Sequence, residues 1–274
     1  MLKRLGCGVG LVIFLLSTSC IQKNAEGRRS LQLVSSSSLQ QQASEVYQDQ
    51  IKKGEVSKNQ RQNKIVQRVG RRIINQAKKM YGPYCAGFQW EVNLLESKEV
   101  NAFCMPGGKI AVYTGILKVC ENEAALAAIM GHEVAHALLQ HGGERMTQAK
   151  IVAGTMAAAQ MVAKNTDMID SKIEPYALAA LGLGAQVGVM LPFSRAHESE
   201  ADKMGLRLSA AAGYSPKEAP MLWERMKKLG GGAPMEFMST HPGHDRRIRD
   251  LNSWQMDVKP LYDASSRYGL GDKL

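Results

Sequence analysis

The chain has 274 residues, of which 45% are hydrophobic and 22% are charged, with 35 Lys and Arg against 25 Asp and Glu. This composition is typical of a folded protein of one or two domains and excludes a largely disordered chain. Beyond residue 20, no stretch reaches the roughly 18 uninterrupted apolar residues of a spanning helix, which argues against a polytopic membrane protein.

The first residues have the pattern of an export signal. Lys3 and Arg4 form a basic region, Val9 to Leu16 form an apolar core, and Cys20 ends the small-residue stretch that follows. We expect residues 1–19 to be a cleaved lipoprotein signal peptide and Cys20 to carry the lipid. The mature protein would then be anchored to the outer membrane on its periplasmic side. A soluble periplasmic protein, released after ordinary signal cleavage, is the alternative.

The next segment differs in composition from the rest of the chain. Residues 20–45 are rich in Ser and Gln and offer little to bury, so they are predicted to be a flexible tether. Residues 46–274 are predicted to form a single domain, because no internal repeat or second composition shift divides them.

A strongly basic segment follows the predicted tether. Residues 51–80 contain ten Lys and Arg against one acid, and Ile65, Val69 and Ile73 recur there every four residues. This spacing predicts an amphipathic helix with a solvated basic face. No aromatic residues alternate with the basic ones, which argues against a nucleic acid partner. A face that binds anionic lipid or glycan is the remaining alternative.

A change of period after residue 80 predicts a small sheet within a mainly helical fold. Residues 87–95 alternate between apolar and polar and predict a strand, and a turn at 106–108 leads to a second strand over 110–113. The fold class is therefore α+β, mainly α. Further helices are predicted over 122–141, parts of 147–191, 194–212 and 215–230.

The helix predicted over 122–141 contains a metal-binding motif. His132-Glu133-Val134-Ala135-His136 is an H-E-x-x-H sequence. Histidines four residues apart share one helix face, with Cβ atoms about 5–6 Å apart, so both imidazoles can bind one Zn²⁺. Glu133 can act as a general base without binding the metal itself. We therefore predict one zinc ion per chain.

A catalytic zinc site needs a third protein ligand. The metzincin continuation is excluded, because Leu139 and Gly142 stand where that class requires Gly and His. His141 is one position away from the required histidine. It lies at the predicted C-terminus of the helix, where a capping role is favoured for it.

A second helix offers a carboxylate as the third ligand. Glu198 and Asp202 are four residues apart and share a face, whereas Glu200 is expected to point elsewhere. Glu198 could then bind zinc while Asp202 accepts a hydrogen bond from the ring of a ligand histidine. Acidic helix faces are common, so spacing alone does not decide this assignment.

Four segments of the chain carry a resemblance to a known family: 101–115, the HEVAH helix, the SRAHESEAD stretch at 194–202 and the STHP stretch at 239–242. In this order they resemble the HtpX-like gluzincin metallopeptidases, peptidase family forty-eight of the metallo class. The resemblance covers roughly residues 45–255, and it is strongest to the compact periplasmic lipoproteins of the LoiP type. It implies a zincin-like helical domain with a small β-sheet whose edge strand borders the active site.

The resemblance also implies roles for individual residues. His132, His136 and Glu198 correspond to the zinc ligands, and Glu133 corresponds to the general base and acid. Asp202 corresponds to the residue that supports a ligand from behind.

Two further residues carry over from the later segments. His241 matches an additional active-site histidine, and Arg247 matches an arginine, with Arg246 as its alternative. His241 could donate a hydrogen bond to the developing oxyanion, or it could bind zinc as a fourth ligand and block the enzyme; the donor role is favoured. His197 and His244 match no functional position and are expected at the surface.

The implied activity is that of a zinc endopeptidase of the bacterial envelope that cleaves unfolded or misfolded exported proteins. Asn101 and Ala102 would lie on the edge strand, where an extended substrate can add a strand through backbone hydrogen bonds. A zinc-binding chaperone or assembly factor, its proteolysis blocked by the segment 147–191, is the alternative. Whether Cys85, Cys104 and Cys120 form a disulfide stays open.

Overall fold

The computed structural model describes four stretches of the chain: residues 21–166, 194–229, 236–241 and 244–274. The chain divides into two compact units, and residues of the domain predicted over 46–274 fall in both. In the described part of the chain, no helix combines the length and the apolar character needed to cross a membrane. The predicted signal peptide, Cys20 and the predicted helical residues 167–191 lie outside the described residues.

The helices and strands are numbered in chain order. The strands are β1 (Ile21–Lys23), β2 (Arg29–Leu31), β3 (Glu55–Val56), β4 (Glu91–Glu96), β5 (Ala102–Met105) and β6 (Lys109–Tyr113). The helices are α1 (Ser36–Lys53), α2 (Gln60–Tyr81), α3 (Thr114–Cys120), α4 (Glu123–Leu138), α5 (His141–Thr166), α6 (Arg195–Ala211), α7 (Glu218–Leu229), α8 (Glu236–Thr240), α9 (His244–Ser253) and α10 (Gln255–Asp263).

The smaller unit contains the β1–β2 hairpin and the residues of α5 from 142 onward. The side chain of Asn24 accepts hydrogen bonds from the backbone N–H groups of Glu26 and Arg28 and so closes the hairpin turn. Arg28 then pairs with Glu144 of α5 through both guanidinium nitrogens. These polar contacts order a segment that has few apolar residues to bury.

The stretch predicted to be a tether, residues 20–45, therefore differs from the prediction. It holds β1, β2 and the first half of α1. The residue that anchors α1, Tyr47, lies just beyond the stretch, is fully buried and donates a hydrogen bond to the carbonyl of Ile110. Because the partner of Tyr47, Ile110, is distant in sequence, the local composition of the stretch does not reveal this contact.

Helix α2 confirms the predicted amphipathic helix. Asn59 caps it by accepting a hydrogen bond from the backbone N–H of Gln62. Ile65, Val69 and Ile73 are all buried, with at most 3% of their surface exposed. The basic residues on the other face of the helix are mostly exposed.

The larger unit contains a four-stranded sheet in the order β3-β4-β6-β5. Strands β4 and β6 are parallel, and β5 pairs antiparallel with β6 at one edge of the sheet. Ala102 begins this edge strand and Asn101 immediately precedes it, where its carbonyl accepts a hydrogen bond from the N–H of Tyr113. The predicted α+β, mainly α fold is confirmed.

Helices α4 and α6 cross with their backbones in contact. A Cβ atom on Gly205 would lie 2.6 Å from the backbone nitrogen of His132, and one on Gly131 would lie 2.8 Å from the carbonyl oxygen of Gly205. Only glycine permits so close an approach at these two positions. The crossing therefore brings the H-E-x-x-H helix directly against the helix that carries Glu198 and Asp202.

The end of the H-E-x-x-H helix differs from the prediction. Helix α4 ends at Leu138, and Gln140 then adopts a left-handed backbone conformation with φ of 60°. The chain turns there, so the helix predicted over 122–141 ends three residues early, and Gly142 and Gly143 lie within the next helix. His141 is consequently the first residue of α5 instead of the last turn of α4.

Candidate metal centre

Four side chains bring one potential ligand atom each to a single point in the larger unit. They are His132 and His136 of α4, Glu198 of α6 and His241, which follows α8. All four residues are buried, and their potential ligand atoms lie within 4.8 Å of one another. In the described part of the chain this is the one group of at least three such residues able to hold a metal ion.

The separations within this group match those of a tetrahedral zinc site. Two ligand atoms at about 2.0–2.1 Å from zinc in tetrahedral geometry lie about 3.3 Å apart. The Nε2 atoms of His132 and His136 are 3.0 Å apart. The Glu198 carboxylate lies 3.4 Å from Nε2 of His136 and 3.5 Å from Nε2 of His132.

The charge balance also fits a divalent cation. Glu133, Glu198, Asp202 and Arg247 are each at most 4% exposed. With Glu133 ionised, three buried carboxylates oppose one guanidinium, which leaves two negative charges in a region that water does not screen. A divalent metal ion would bring this sum to zero, so the residues present fit the predicted zinc ion.

His132 is supported from behind by a carboxylate. Its Nδ1 lies 3.0 Å from Oδ1 of Asp202, on the side of the ring opposite the ligand group. A ring N–H held in this way fixes the tautomer that presents Nε2 to a metal. The structure thus brings Asp202 to the place that the resemblance implies for it.

Arg247 of α9 joins the two carboxylates of α6. Its Nε and Nη2 donate to the two oxygens of Asp202, both at 2.6 Å, and its Nη1 lies 2.6 Å from the Glu198 carboxylate. The guanidinium also stacks over the ring of Trp223 at 3.6 Å. Arg247 is therefore the arginine of the site, whereas Arg246 pairs with Asp250 away from it.

The pKa values of these carboxyl groups follow from burial and this guanidinium. Burial alone would raise the pKa of Glu198 and of Asp202. At Glu198 the attraction of His241 and Arg247 outweighs burial and lowers the pKa. At Asp202 the attraction of Arg247 and the contact with His132 likewise outweigh burial and lower the pKa. Both groups are therefore held as carboxylates, which is the form that a metal ligand and its supporting group require.

Burial also sets the state of His136. It lowers the pKa of this imidazole well below its ordinary value, and the neighbouring His132 lowers it further. A neutral imidazole is the form that binds a metal ion.

Glu133 lies beside the ligand group without belonging to it. Its Oε1 is buried and accepts no hydrogen bond from any described residue, and Nε2 of His241 lies 3.5 Å away. Burial raises the pKa of Glu133 above its ordinary value. A buried carboxylate oxygen with an unused acceptor site next to a metal position is placed to bind a water molecule.

His241 occupies a ligand position rather than a more distant one. Its Nδ1 lies 3.2 Å from Nε2 of His132 and 3.0 Å from the Glu198 carboxylate. The ring of Phe237 stacks on His241, and the N–H of Phe237 donates to the carbonyl of Val100, just before the edge strand. Of the two roles open for His241, this geometry favours the fourth ligand over the oxyanion donor.

The edge strand lies next to this centre. The Cys104 thiol on β5 is close enough to Glu133 for the carboxylate to contribute to the raised pKa of the thiol, although burial is the larger cause. All three cysteines among the described residues, Cys85, Cys104 and Cys120, are free thiols.

Three residues near His136 differ from the predictions. His141 is fully buried, and its Nδ1 lies 2.9 Å from Nδ1 of His136, so it does not simply cap a helix. His197, expected at the surface, is 5% exposed and stacks on His141 with ring centroids 4.2 Å apart. Glu200 does not point away, because its carboxylate reaches His141. The predictions failed because the turn at Gln140 brings together residues that an uninterrupted helix would separate.

Comparison with known proteins agrees with this geometry. Residues 60–255 match the family model described as Peptidase family M48. The mitochondrial metalloendopeptidase OMA1 of Schizosaccharomyces pombe is 35% identical over 66% of this chain and 51% of its own length. OMA1 of Arabidopsis thaliana is 41% identical over 60% of this chain and 31% of its own length. The Beta-barrel assembly-enhancing protease of Escherichia coli is 24% identical over 72% of this chain and 40% of its own length.

These matches confirm the predicted resemblance, the predicted metallopeptidase class and, with the four ligand atoms above, the predicted zinc cofactor. The chain spans between about a third and a half of the length of these relatives.

Proposed function

The chain belongs to peptidase family M48, and we propose that it is a zinc-dependent endopeptidase that cleaves unfolded or misfolded polypeptides. The observation that carries this proposal is the buried Oε1 of Glu133, which has no hydrogen-bond partner among the described residues and lies beside four converging ligand atoms. Zinc bound there would supply a Lewis acid that polarises the scissile carbonyl group.

In this proposal Glu133 moves the proton. It takes a proton from the attacking water and delivers it to the nitrogen of the leaving amine. The raised pKa of its buried carboxyl group suits this role, because a group that must both accept and release a proton works best with a pKa nearer the operating pH. Arg247 holds Glu198 and Asp202 in place during these steps.

The sheet edge supports an unfolded polypeptide as the substrate. Strand β5 is an edge strand, and it packs against the helix that carries Glu133. An extended substrate that pairs with this edge would bind mainly through its backbone. Such binding requires an unfolded segment and selects little sequence, as protein quality control requires.

We further propose that the protein works in the bacterial envelope, anchored to the outer membrane through Cys20. The export-signal pattern supports this location, and one relative is named for β-barrel assembly. A Cys20→Ser variant is expected to move from the membrane fraction to the soluble periplasm. A variant that still sediments with membranes would contradict the lipid anchor.

The proposed activity is tested by metal analysis and a casein digest of the same purified preparation. Wild-type protein should contain about one zinc ion per chain and degrade casein. Glu133→Gln should retain zinc and fold but lose on the order of 10²–10⁴-fold in rate, because the ligands remain while the proton carrier is lost. Equal casein cleavage by both proteins at matched zinc content would contradict the assignment of Glu133.

The position of His241 favours a second candidate function, a zinc-binding assembly factor whose proteolysis is blocked. A catalytic zinc site has three protein ligands and an open position, whereas His241 places a fourth ligand atom within the group. The His241→Ala variant distinguishes the two functions when it is compared with wild type at matched zinc content. A rise in casein cleavage indicates a blocking ligand, and a large fall indicates a catalytic donor.

A further inference from the structure

Behind His136 the structure contains a chain of two hydrogen bonds that leads to a partly exposed carboxylate. Nδ1 of His136 lies 2.9 Å from Nδ1 of His141, and Nε2 of His141 lies 3.1 Å from the Glu200 carboxylate. His141 is fully buried, whereas the Glu200 side chain is 32% exposed. The connection therefore runs from the metal position towards solvent.

The backbone at Gln140 makes this arrangement possible. In an uninterrupted helix a residue five positions after His136 would lie about 140° away around the helix axis. The left-handed conformation of Gln140 instead turns the chain, so that the ring of His141 returns to the ring of His136. A positive φ is uncommon for a residue other than glycine and marks a position that the surrounding structure determines.

The ring of His141 is also held on its face. The imidazole of His197, one residue before the ligand Glu198, stacks on it with an interplanar angle of 21°. Helix α6 thus contributes the ligand Glu198, the stacking ring of His197 and the terminal carboxylate of Glu200.

The hydrogen-bond directions along this chain follow from metal binding. His136 presents Nε2 to the ligand group, so its Nδ1 must carry the ring proton and donate the hydrogen bond to His141. Nδ1 of His141 then accepts, which places the proton of the neutral His141 ring on Nε2, and this N–H donates to Glu200. One consistent set of tautomers therefore satisfies both hydrogen bonds and makes His136 a better donor to a metal.

We propose that His141 and Glu200 are positioning residues that orient His136 and strengthen its bond to the metal. Glu200 acts through His141, and neither residue touches substrate. This inference rests on the proposed zinc peptidase function, because it concerns the same metal site. It assigns a role to the histidine five residues after the H-E-x-x-H motif and to the glutamate between Glu198 and Asp202.

The test compares zinc affinity among variants, measured by competition with a chelator at fixed pH. His141→Ala is expected to weaken zinc binding about 10–100-fold, which is the usual effect of losing the residue behind a ligand. Glu200→Ala should weaken it by about 10-fold, and Glu200→Gln should recover part of the loss, because its amide oxygen still accepts from His141. Glu224→Ala, which removes an exposed glutamate of α7, is the matched control and should change nothing.

The double variant shows whether Glu200 works through His141. In the His141→Ala background, Glu200→Ala should have no further effect on zinc affinity. An equal loss from Glu200→Ala in both backgrounds would overturn the inference. Fully zinc-loaded Glu200→Ala should show a reduced kcat with an unchanged KM, and its cobalt-substituted form should show an altered visible spectrum. Its metal-free form should unfold at the wild-type temperature, because the carboxylate is partly exposed.

Failure of this inference can be distinguished from failure of the proposed function, because zinc affinity is measured without substrate. If His141→Ala does not fold, the partly exposed Glu200→Ala still decides the outcome. Unchanged zinc affinity in Glu200→Ala would overturn the inference while leaving casein cleavage by the wild type intact. Weakened zinc affinity in a protein whose wild type cleaves no casein would support the inference and contradict the proposed function.

Discussion

The two histidines of the H-E-x-x-H motif are supported by different surroundings. Behind His132 lies the carboxylate of Asp202, which Arg247 holds through two hydrogen bonds. Behind His136 lies a second imidazole, His141, and the carboxylate comes only after it. We call these the direct flank and the relay flank of the metal centre.

The two flanks also differ in burial and in charge. The direct flank consists of ionised groups that are at most 4% exposed, whereas the relay flank ends in Glu200, a third of whose side chain is exposed. An ion pair without access to water leaves a strong uncompensated charge when one partner is removed. Removal of a partly exposed carboxylate that acts through a neutral ring costs much less stability, because water replaces the contacts that are lost. The direct flank should therefore govern both stability and metal affinity, whereas the relay flank should adjust metal affinity with little effect on stability.

The largest expected effect is that of Arg247→Leu, which breaks the direct flank. The substitution removes the guanidinium between Glu198 and Asp202, so the two carboxylates stay buried without a compensating positive charge. The metal-free protein should therefore lose about 3–5 kcal/mol of unfolding free energy. Urea unfolding in the presence of a chelator measures this loss. Addition of zinc should restore part of the stability, since the ion offsets the same charges. A loss below about 1 kcal/mol would remove the proposed difference between the flanks.

Gly205→Ala tests the helix crossing that both flanks share. The added Cβ would meet the backbone of His132 at 2.6 Å, so α4 and α6 must move apart. We expect a loss of about 1–3 kcal/mol in unfolding free energy together with weaker zinc binding. Ser209→Ala, at a buried position further along α6 where no added atom is introduced, is the control. Wild-type zinc affinity in Gly205→Ala would show that the crossing distance does not set the ligand geometry.

Asp202→Asn removes the negative charge of the direct flank but keeps the size and shape of the side chain. The amide can still accept from His132 through its oxygen, but the negative charge that supports the imidazole is lost. Zinc affinity should fall about 10–100-fold, more than for Glu200→Gln on the relay flank. If the two substitutions have equal effects in chelator competition, the distinction between the flanks fails.

The smallest effect is expected from Arg71→Ala on the basic face of α2. Arg71 is exposed and lies outside the buried face of that helix, so the change in unfolding free energy should stay within about 0.5 kcal/mol. Zinc affinity and casein cleavage should match those of the wild type. A marked loss of either would show that this face contributes to the site or to its substrate.

Much of the centre was predictable because its signals are local. The spacing of His132 and His136 predicts two ligands on one helix face, and Glu198 and Asp202 repeat that spacing on another helix. The period of Ile65, Val69 and Ile73 likewise predicts the buried face of α2, which the structure confirms. The resemblance then joins the two helices in one site, which spacing alone could not do.

Other residues had no local signal that could reveal their place. Trp223 lies in an ordinary amphipathic helix, and only the fold puts its ring under Arg247. Nothing in the sequence distinguishes Cys104 from Cys85 and Cys120, and only the position of β5 brings it near Glu133. His141 carried a weak signal, since a third histidine follows the motif closely, but its position relative to His136 depends on one backbone torsion.

The sequence by itself thus determined which residue types could bind a metal ion, because helix periodicity places residues four apart on a common face. Only the tertiary structure decided how those faces meet and what lies behind each ligand. The contact of Gly131 with Gly205, the turn at Gln140 and the approach of α9 with Arg247 all join residues far apart in the chain or reverse its direction. These three features are stabilised by packing and by charge compensation between distant segments, which a local sequence pattern does not reveal.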